Sequence, residues 1–583
     1  MAPSSVRSVC AWTLIAVIVA PASANETAPQ PTSGRTASAS VGVHDDFDVV
    51  IAGGSTAALA AAITACDEGA RVALLEPTDW PGGQLTASGV PAVDEAWHKI
   101  VDPQSGDVLL NVAQIARDPR NMTPLFRDML VRTGNPGRGW VSRFCFEPRK
   151  FLEREIEPLL KARQERLRVF RETVVKRVEV DDRGETIVAL VAIQRTPRSG
   201  LAAGGYDVHL SADLKDWYDP EPSPRFAKRL LRFQAKEDSP LSTVFIDATE
   251  WGELLVLSGA PYLQGVEPED GSLKSNDRCG QSTVFAVVQE LHAHDVDEPD
   301  VAEPVEGLGF GDYRDRDDAW QRIWTYRRIR GTDKAPRPGD LSLQNWGYSR
   351  RLREGGNDYP FGYLFKSRAA AAVERSDWHG GVDLGVMAAA ERRALAWHEW
   401  FKRQAPDDIG AERISLNREV LGTAHGLSKL PYIRDTRRSI GLDNFILRFS
   451  DMSGSAQQQI GTKFHDRVAL GAYPADVHRL ASCEYPPYID RAHDTLPFHI
   501  PLRALTNRQF KNLLVAGKTM AQSFLANSAT RLHPIEWSSG AAGGVAAAAM
   551  AKSQITSRQL DERVGELQEQ VRRYTPIDWQ VDP

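Results

Sequence analysis

The chain is poor in the residues that build several common kinds of site. Five cysteines are spread over 583 residues. None stand at C-x-x-C spacing, which excludes a zinc ribbon or a dithiol redox motif. No HExxH, phosphate-loop or G-x-S-x-G element occurs, so zinc-peptidase, triphosphatase and serine-hydrolase chemistry find no motif here. Charge of one sign is also scarce. Seventy Lys and Arg against 77 Asp and Glu leave a net charge of −7, with no basic stripe, and nucleic acid is not an expected partner. The apolar stretch Ala11 to Ala20 is too short to cross a bilayer comfortably, so no stable membrane insertion is expected.

What is present begins with an address. Arg7 precedes that apolar stretch, and Pro21 with Ala22-Ser23-Ala24 follows it, the pattern of a secretory signal over residues 1–24. The alternative is an uncleaved anchor. No twin arginine precedes it, which implies export unfolded, with any cofactor acquired in the periplasm or outside the cell. Residues 25–44, rich in Ser, Thr, Ala and Pro, read as a disordered lead-in. Cleavage leaves Cys66, Cys145, Cys279 and Cys483. An oxidising compartment permits disulfides, a chain of this size does not require them, and three pairings stay open. Cys66 reads as a small core residue.

The stretch 48–76, DVVIAGGSTAALAAAITACDEGARVALLE, predicts strand, glycine turn, alanine-rich helix and second strand. This is one unit of a dinucleotide-binding fold, in which a helix N-terminus is brought against a pyrophosphate. The three-glycine pattern falls on Gly53, Ser55 and Ala58. Gly53 makes the turn. Ser55 adds a Cβ where the backbone approaches phosphate but brings a hydroxyl, and Ala58 is the smallest side chain that still lets helix and strand lie close. Glu76 stands where a ribose hydroxyl is held, and its charge repels a 2′-phosphate.

The rest of the chain reads as an α/β fold: a discontinuous Rossmann-type domain with an inserted α+β substrate domain. The N-terminal part covers 45–274, the substrate domain 275–500, the C-terminal part 501–555, and an amphipathic helix and tail 556–583. Leu167 to Val180 and Thr186 to Ile193 read as short strands of a meander. Residues 196–236 read as a surface excursion, the alternative being a lid over a substrate. Ser242 to Ile246 and Asn512 to Gly517 read as strands, and Ile535 to Ala551 as a helix with Pro534 in its first turn. His292-x-His294-Asp295 runs into an acidic, proline-containing stretch and reads as a solvated loop, so no metal site is expected.

A second strand–glycine–helix element near the C-terminal end resembles the FAD-dependent oxidoreductases of the glutathione-reductase-like fold. The chain is most similar to a secreted bacterial branch often labelled xanthan lyase-like. The resemblance rests on AGGSTAA (52–58), EPTDWPGGQLTASG (76–89), FIDATEWGELLVLSGAPY (245–262), GGNDY (355–359), PYIRDTRRSIG (431–441) and NLLVAGKTMAQSFLANSATRLHPIEWSSGAAGG (512–544). Residues 196–236 and the Ser55/Ala58 pair depart from the commoner pattern. The resemblance implies FAD as cofactor, with Gly53, Gly54, Ser55 and Ala58 on the pyrophosphate and Glu76 on the adenosine ribose. It also implies Gly82, Gly83 and Gln84 along the ribityl–pyrophosphate stretch, and Ala248 and Thr249 beside the ADP half. Gly517, Arg531 and the helix start at Pro534 are implied to approach the flavin ring.

A reduced flavin carries negative charge that a helix N-terminus and Arg531 would favour. A substrate losing hydride also needs a base, and His533 is the first candidate, its alternative being a helix-packing residue. His478 and His499 are weaker candidates. Arg434, Arg437 and Arg438 are read either as anion binders or as ion-pair partners of acids such as Asp435. The expected function is a secreted FAD-dependent dehydrogenase or oxidase, passing hydride from a small polar or carbohydrate-like substrate to flavin N5, with an unidentified electron acceptor. The alternatives are a polysaccharide lyase and a binding protein that keeps FAD as a structural element.

Overall fold

The computed structural model describes residues 41–581 apart from 238, 269–271, 485 and 487–492. The expected signal segment and nearly all of the lead-in lie outside the described residues. Strand β1 covers Gly42–His44 and β2 covers Val49–Ala52; helix α1 covers Thr56–Asp67, and β3 covers Val72–Leu75. Every residue of β2 and β3 is buried, as expected of apolar strands covered on both faces of a parallel sheet. Strands β4 (Leu167–Phe170), β5 (Thr173–Val180) and β6 (Ile187–Pro197) follow, then helix α2 (Leu210–Tyr218), β7 (Phe226–Gln234) and β8 (Val244–Asp247).

Two sheets emerge from these strands. With Leu513–Val515, here β13, strands β2, β3, β4 and β8 form a parallel sheet in the order β13–β8–β2–β3–β4. The second runs β1–β7–β6–β5, antiparallel except where β1 lies parallel to β7. The expected single strand over 167–180 therefore divides. Its first part joins the parallel sheet and its second the meander, with the break at Glu172, whose φ of +55° turns the chain.

The expectation of a surface excursion over 196–236 is corrected. Residues 226–234 form an interior strand of the second sheet, and α2 buries Leu210, Asp213, Leu214, Trp217 and Tyr218. That spacing gives one apolar face of a helix, which composition alone concealed behind glycines and charges.

Beyond β8, strands β9 (Val287–Leu291), β10 (Arg328–Arg330) and β11 (Leu341–Gln344), helix α3 (Leu384–Arg403) and strand β12 (Ile414–Leu416) belong to an antiparallel sheet of order β10–β11–β9–β12 with α3 against it. The chain then returns to the parallel sheet with β13 (Leu513–Val515), followed by helices α4 (Phe524–Thr530) and α5 (His533–Ser553). The described residues cluster as one compact unit. Cys279 and Cys483 form a disulfide, while Cys66 and Cys145 are free and buried. Among the described residues no helix is long and apolar enough to cross a membrane.

The N-terminal and C-terminal contributions to this sheet meet through α1 and α5. A Cβ at Gly540 would stand 2.2 Å from the Ala57 carbonyl oxygen, and one at Gly544 2.2 Å from that of Ala61. Small residues at i and i+4 thus let the two helix backbones touch, which closes a chain of widely separated parts into one layer.

Candidate functional site

A narrow slot opens at the C-terminal ends of β2 and β3, where ligands bind in open α/β sheets. It is lined by the backbone-rich residues Gly53, Gly54, Ser55 and Gly83, by Glu76 and Thr249, and by the apolar Val174, Val175, Leu214, Trp217 and Trp251. Ser55 caps α1, its Oγ accepting the Ala58 N–H at 3.1 Å, so the hydroxyl proton remains available to a ligand. Gly53 has φ +98°, and a Cβ there would lie 2.5 Å from the Ala248 carbonyl oxygen. A Cβ at Gly54 would fall 1.3 Å from Glu76 Oε2. The carboxylate therefore sits directly over the glycine backbone.

Glu76 is 1% exposed. Its Oε1 accepts from the Thr78 N–H at 2.7 Å and the Thr78 hydroxyl at 2.6 Å, while the buried Oε2 has no partner among the described residues. Burial pushes this carboxyl up to about 7 despite the Thr78 hydrogen bonds. An unsatisfied acceptor in a dry slot is costly unless a ligand hydroxyl completes it.

The second half of the site comes from the other end of the chain. Thr56 donates its hydroxyl to the Gly82 carbonyl at 2.9 Å, which folds the 82–84 turn over α1. Gln84 Nε2 donates to the Arg531 carbonyl at 3.1 Å. Gly517 takes φ +67°, its backbone pressed on Ala57, and the next residue, Lys518, is buried between two acids. Its Nζ lies 2.6 Å from Glu250 Oε2 and 3.0 Å from Glu536 Oε1. Burial opposes the ammonium charge, but Glu250 and Glu536 outweigh it and hold the Lys518 pKa above the ordinary range. Burial pushes Glu536, in the first turn of α5, up to about 7. Neither Glu250, Lys518 nor Glu536 is picked out by the sequence; only the position of Lys518 after the strand-ending glycine signals it.

Arg531 leads into an open cavity of about 1060 Å³. Its Nη1 donates to the Tyr432 hydroxyl at 2.6 Å and its Nη2 to the Asp476 carbonyl at 3.1 Å. Asp94, Tyr473, Asp476, His478 and Arg434 share the lining. His478 lies between two carboxylates, Nδ1 at 3.3 Å from Asp358 and Nε2 at 3.2 Å from Asp476. Asp358 in turn accepts from Arg434 at 2.6 Å. Burial would raise Asp358, but Arg434 and His478 hold it down to about 2. Asp476 likewise resists burial, held well below the usual carboxylate range by His478, Arg531 and Arg434. Asp94 goes the other way: burial raises it, only partly offset by Arg327 and Arg531. Trp97 and Trp140, 59% and 43% exposed, join Trp346 and Tyr348 in the outer lining.

His533 does not line this cavity. It is fully buried, its Nε2 2.8 Å from the Val90 carbonyl and its Nδ1 accepting the Asp94 N–H at 3.3 Å. That pattern assigns the proton to Nε2, and burial pushes the imidazole down to about 3. Both nitrogens hold backbone. Pro534 follows in the first turn of α5 and faces a separate small pocket with Ile535 and Ser538. His499 lies apart, its Nδ1 3.3 Å from the Thr462 carbonyl. Of the three arginines, Arg434 reaches the cavity. Arg437 donates to the Trp251 and Gly381 carbonyls, both at 2.7 Å, and Arg438 pairs with Glu267. Among the described residues no group of three or more His, Cys, Asp or Glu is placed to hold a metal.

A family model described as FAD dependent oxidoreductase matches residues 48–204 and 232–571, leaving 205–231 unmatched. No curated protein matches the chain. Among solved structures, a geranylgeranyl bacteriochlorophyll reductase-like protein from Thermoplasma acidophilum is similar at 10% identity and TM-score 0.32, over 92% of this chain and 85% of its own. The Mycobacterium smegmatis Sdh1 complex in its apo form is similar at 12% identity and TM-score 0.32, over 91% and 76%. A quinol fumarate reductase from E. coli is similar at 12% and 0.29, over 90% and 74%. At these scores the structural likenesses carry no argument. The residues themselves fit the cofactor: the unpartnered Glu76 oxygen, the glycine backbones at 53 and 54 and the cap of α1 make a cradle for a dinucleotide.

Proposed function

This chain belongs to the FAD-dependent oxidoreductase family, and on that premise we propose that it oxidises a small polar or carbohydrate-like substrate in the cavity at Arg531, outside the cytoplasm. FAD held there would supply the two-electron chemistry, with flavin N5 as the hydride acceptor. The slot residues Gly53, Gly54, Ser55 and Glu76 would hold its ADP half. Gly83, Gln84, Gly517 and Arg531 would hold the remainder.

The chain's own task is to bind the substrate and take up the proton that leaves with the hydride. Asp94, Asp476 and His478 share the cavity with Arg531, and Glu95 and Asp312 also line it. Asp476 is committed as an anion beside Arg531 and His478, and both His478 nitrogens face carboxylates. Asp94 is pushed toward the protonated form by burial. Neighbouring carboxylates driven apart in this way divide the roles, one an electrostatic anchor and the other a proton carrier. We assign proton uptake to Asp94 rather than His533, whose ring nitrogens are both spent on backbone. His533 becomes a positioning residue that fastens Val90 and Asp94 to the start of α5.

The observation that carries this reading is the cavity itself, which brings Arg531, at the entry to α5, together with Asp94 and a polar, aromatic wall. Indole and phenol faces such as Trp97, Trp140 and Trp346 suit the apolar faces of sugar rings. Export is supported by the Cys279–Cys483 disulfide, which persists in an oxidising compartment. The test is anaerobic bleaching of the flavin against a panel of sugars, alcohols, amines and amino acids. Bleaching by a sugar or polyol, lost in Asp94→Asn with flavin content unchanged, is the expected result. Turnover that survives complete removal of flavin would replace this reading with the lyase.

A further inference from the structure

We infer that helix α2, with the segment around it that the family match leaves out, is a clamp on the adenine ring of FAD. The inference rests on FAD occupying the slot and adds to it a part found outside the matched stretches.

Leu214, Trp217 and Tyr218 of α2 line the slot together with Glu76, Val174 and Val175. They are 0%, 3% and 1% exposed, although they lie within an insertion. The helix is fixed at both ends. Ser211 donates its N–H to Glu391 on α3 at 2.9 Å, and Tyr218 donates its hydroxyl to Glu253 at 2.6 Å. The indole of Trp217 is held in one orientation, its Nε1 donating to Asp213 at 2.9 Å. The Arg195 guanidinium lies 3.5 Å from its ring centroid, itself paired with the buried Glu172.

A second observation points to a ligand in the slot. Trp251 Nε1, on a residue 5% exposed that also lines the slot, is buried without a partner among the described residues. An orphaned indole N–H beside an apolar wall suits a flat heteroaromatic base with acceptor nitrogens. In the same slot the unpartnered Glu76 oxygen suits the ribose attached to that base. Adenine meets both requirements and the isoalloxazine end does not, because the ribose contact fixes which end of the dinucleotide enters here. The clamp would retain FAD non-covalently and exclude FMN, which lacks the base.

The test follows flavin release from the holoenzyme by its recovered fluorescence, comparing wild type with Trp217→Ala and Trp217→Phe. Loss of a base–aromatic contact should speed release about tenfold or more in the first and leave the second near wild type. Equal rates in all three would overturn the clamp. Should Trp217→Ala fail to fold, hydrogen exchange of wild-type protein decides. Stripping the flavin should expose residues 210–218, and AMP alone should restore their protection where FMN does not. Protection at 210–218 indifferent to AMP refutes the inference, whereas protein that takes up no flavin even after FAD is added would refute occupation of the slot by FAD.

Discussion

Gln84 hands its side-chain N–H to the Arg531 carbonyl at 3.1 Å across 447 positions of sequence. One residue belongs to the turn over α1, the other to the approach to α5. Their contact sets the distance between the slot at Glu76 and the cavity at Asp94, so the site depends on how closely α1 and α5 pack.

That packing is tested at Gly540. A Cβ there meets the Ala57 carbonyl at 2.2 Å, and helix backbone on both sides cannot yield. Gly540→Val should destabilise the protein by about 1–3 kcal/mol or more and leave it short of flavin. Gly565→Ala, where nothing lies within 4 Å of a new Cβ, should do neither. Thermal unfolding and the ratio of flavin to protein absorbance read both outcomes.

Glu76 gives a pH dependence of defined sign. In the folded, flavin-free protein its carboxyl sits at about 7, raised by burial from the model-compound 4.5. Between those values the folded state holds a proton that the unfolded chain has lost. Its contribution to stability is complete below the lower value and disappears as pH rises through the upper. A ribose hydroxyl donating to Oε2 favours the ionised form, so FAD should bind more tightly as pH rises through about 7. Glu76→Gln should flatten both trends. An FAD affinity that falls over this range in wild type would contradict the ribose role.

His533 should behave as a fastener. Replacing it with alanine strands the Val90 carbonyl and the Asp94 N–H, each unmet buried partner costing about 1–3 kcal/mol. The unfolding temperature should drop and substrate oxidation slow. The shape of the pH profile of kcat/KM should stay as in wild type, because a ring at about 3 carries no charge at working pH. A shifted limb in His533→Asn would return the base to this residue.

Much of this arrangement was legible from residue order because it is local. The stretch 48–76 fixes strand, turn, helix and acid by short-range rules, and the proline and small residues after 533 mark α5. What escaped is set by contacts distant in sequence. Asp94, Asp358 and Asp476 come from three separate segments, and no spacing links them. Trp217 sat in a stretch whose glycines and charges suggested surface, while its helical apolar face was only nine residues long. The role of His533 is not legible in the sequence, since a histidine beside a helix start looks the same whether its nitrogens meet substrate or backbone.

The disulfide offers a test of the cavity wall. Cys279 and Cys483 lie 204 residues apart in sequence, flanking the antiparallel pair Gly280–Gln281 and Leu480–Ala481. The second strand continues back to Asp476 and His478, and the His478 N–H donates to Gln281 Oε1 at 2.9 Å. The bond thus closes a long loop at the base of the wall that carries the cavity's charged residues, while the slot lies on the parallel sheet. Cys279→Ser should cost about 2–4 kcal/mol of stability, with flavin content retained and substrate-driven flavin reduction slowed through a raised KM. Dithiothreitol should act on wild type in the same direction and leave the variant unchanged. If the variant reduces its flavin with wild-type KM, the wall keeps its shape without the bond, and the cross-link serves stability alone.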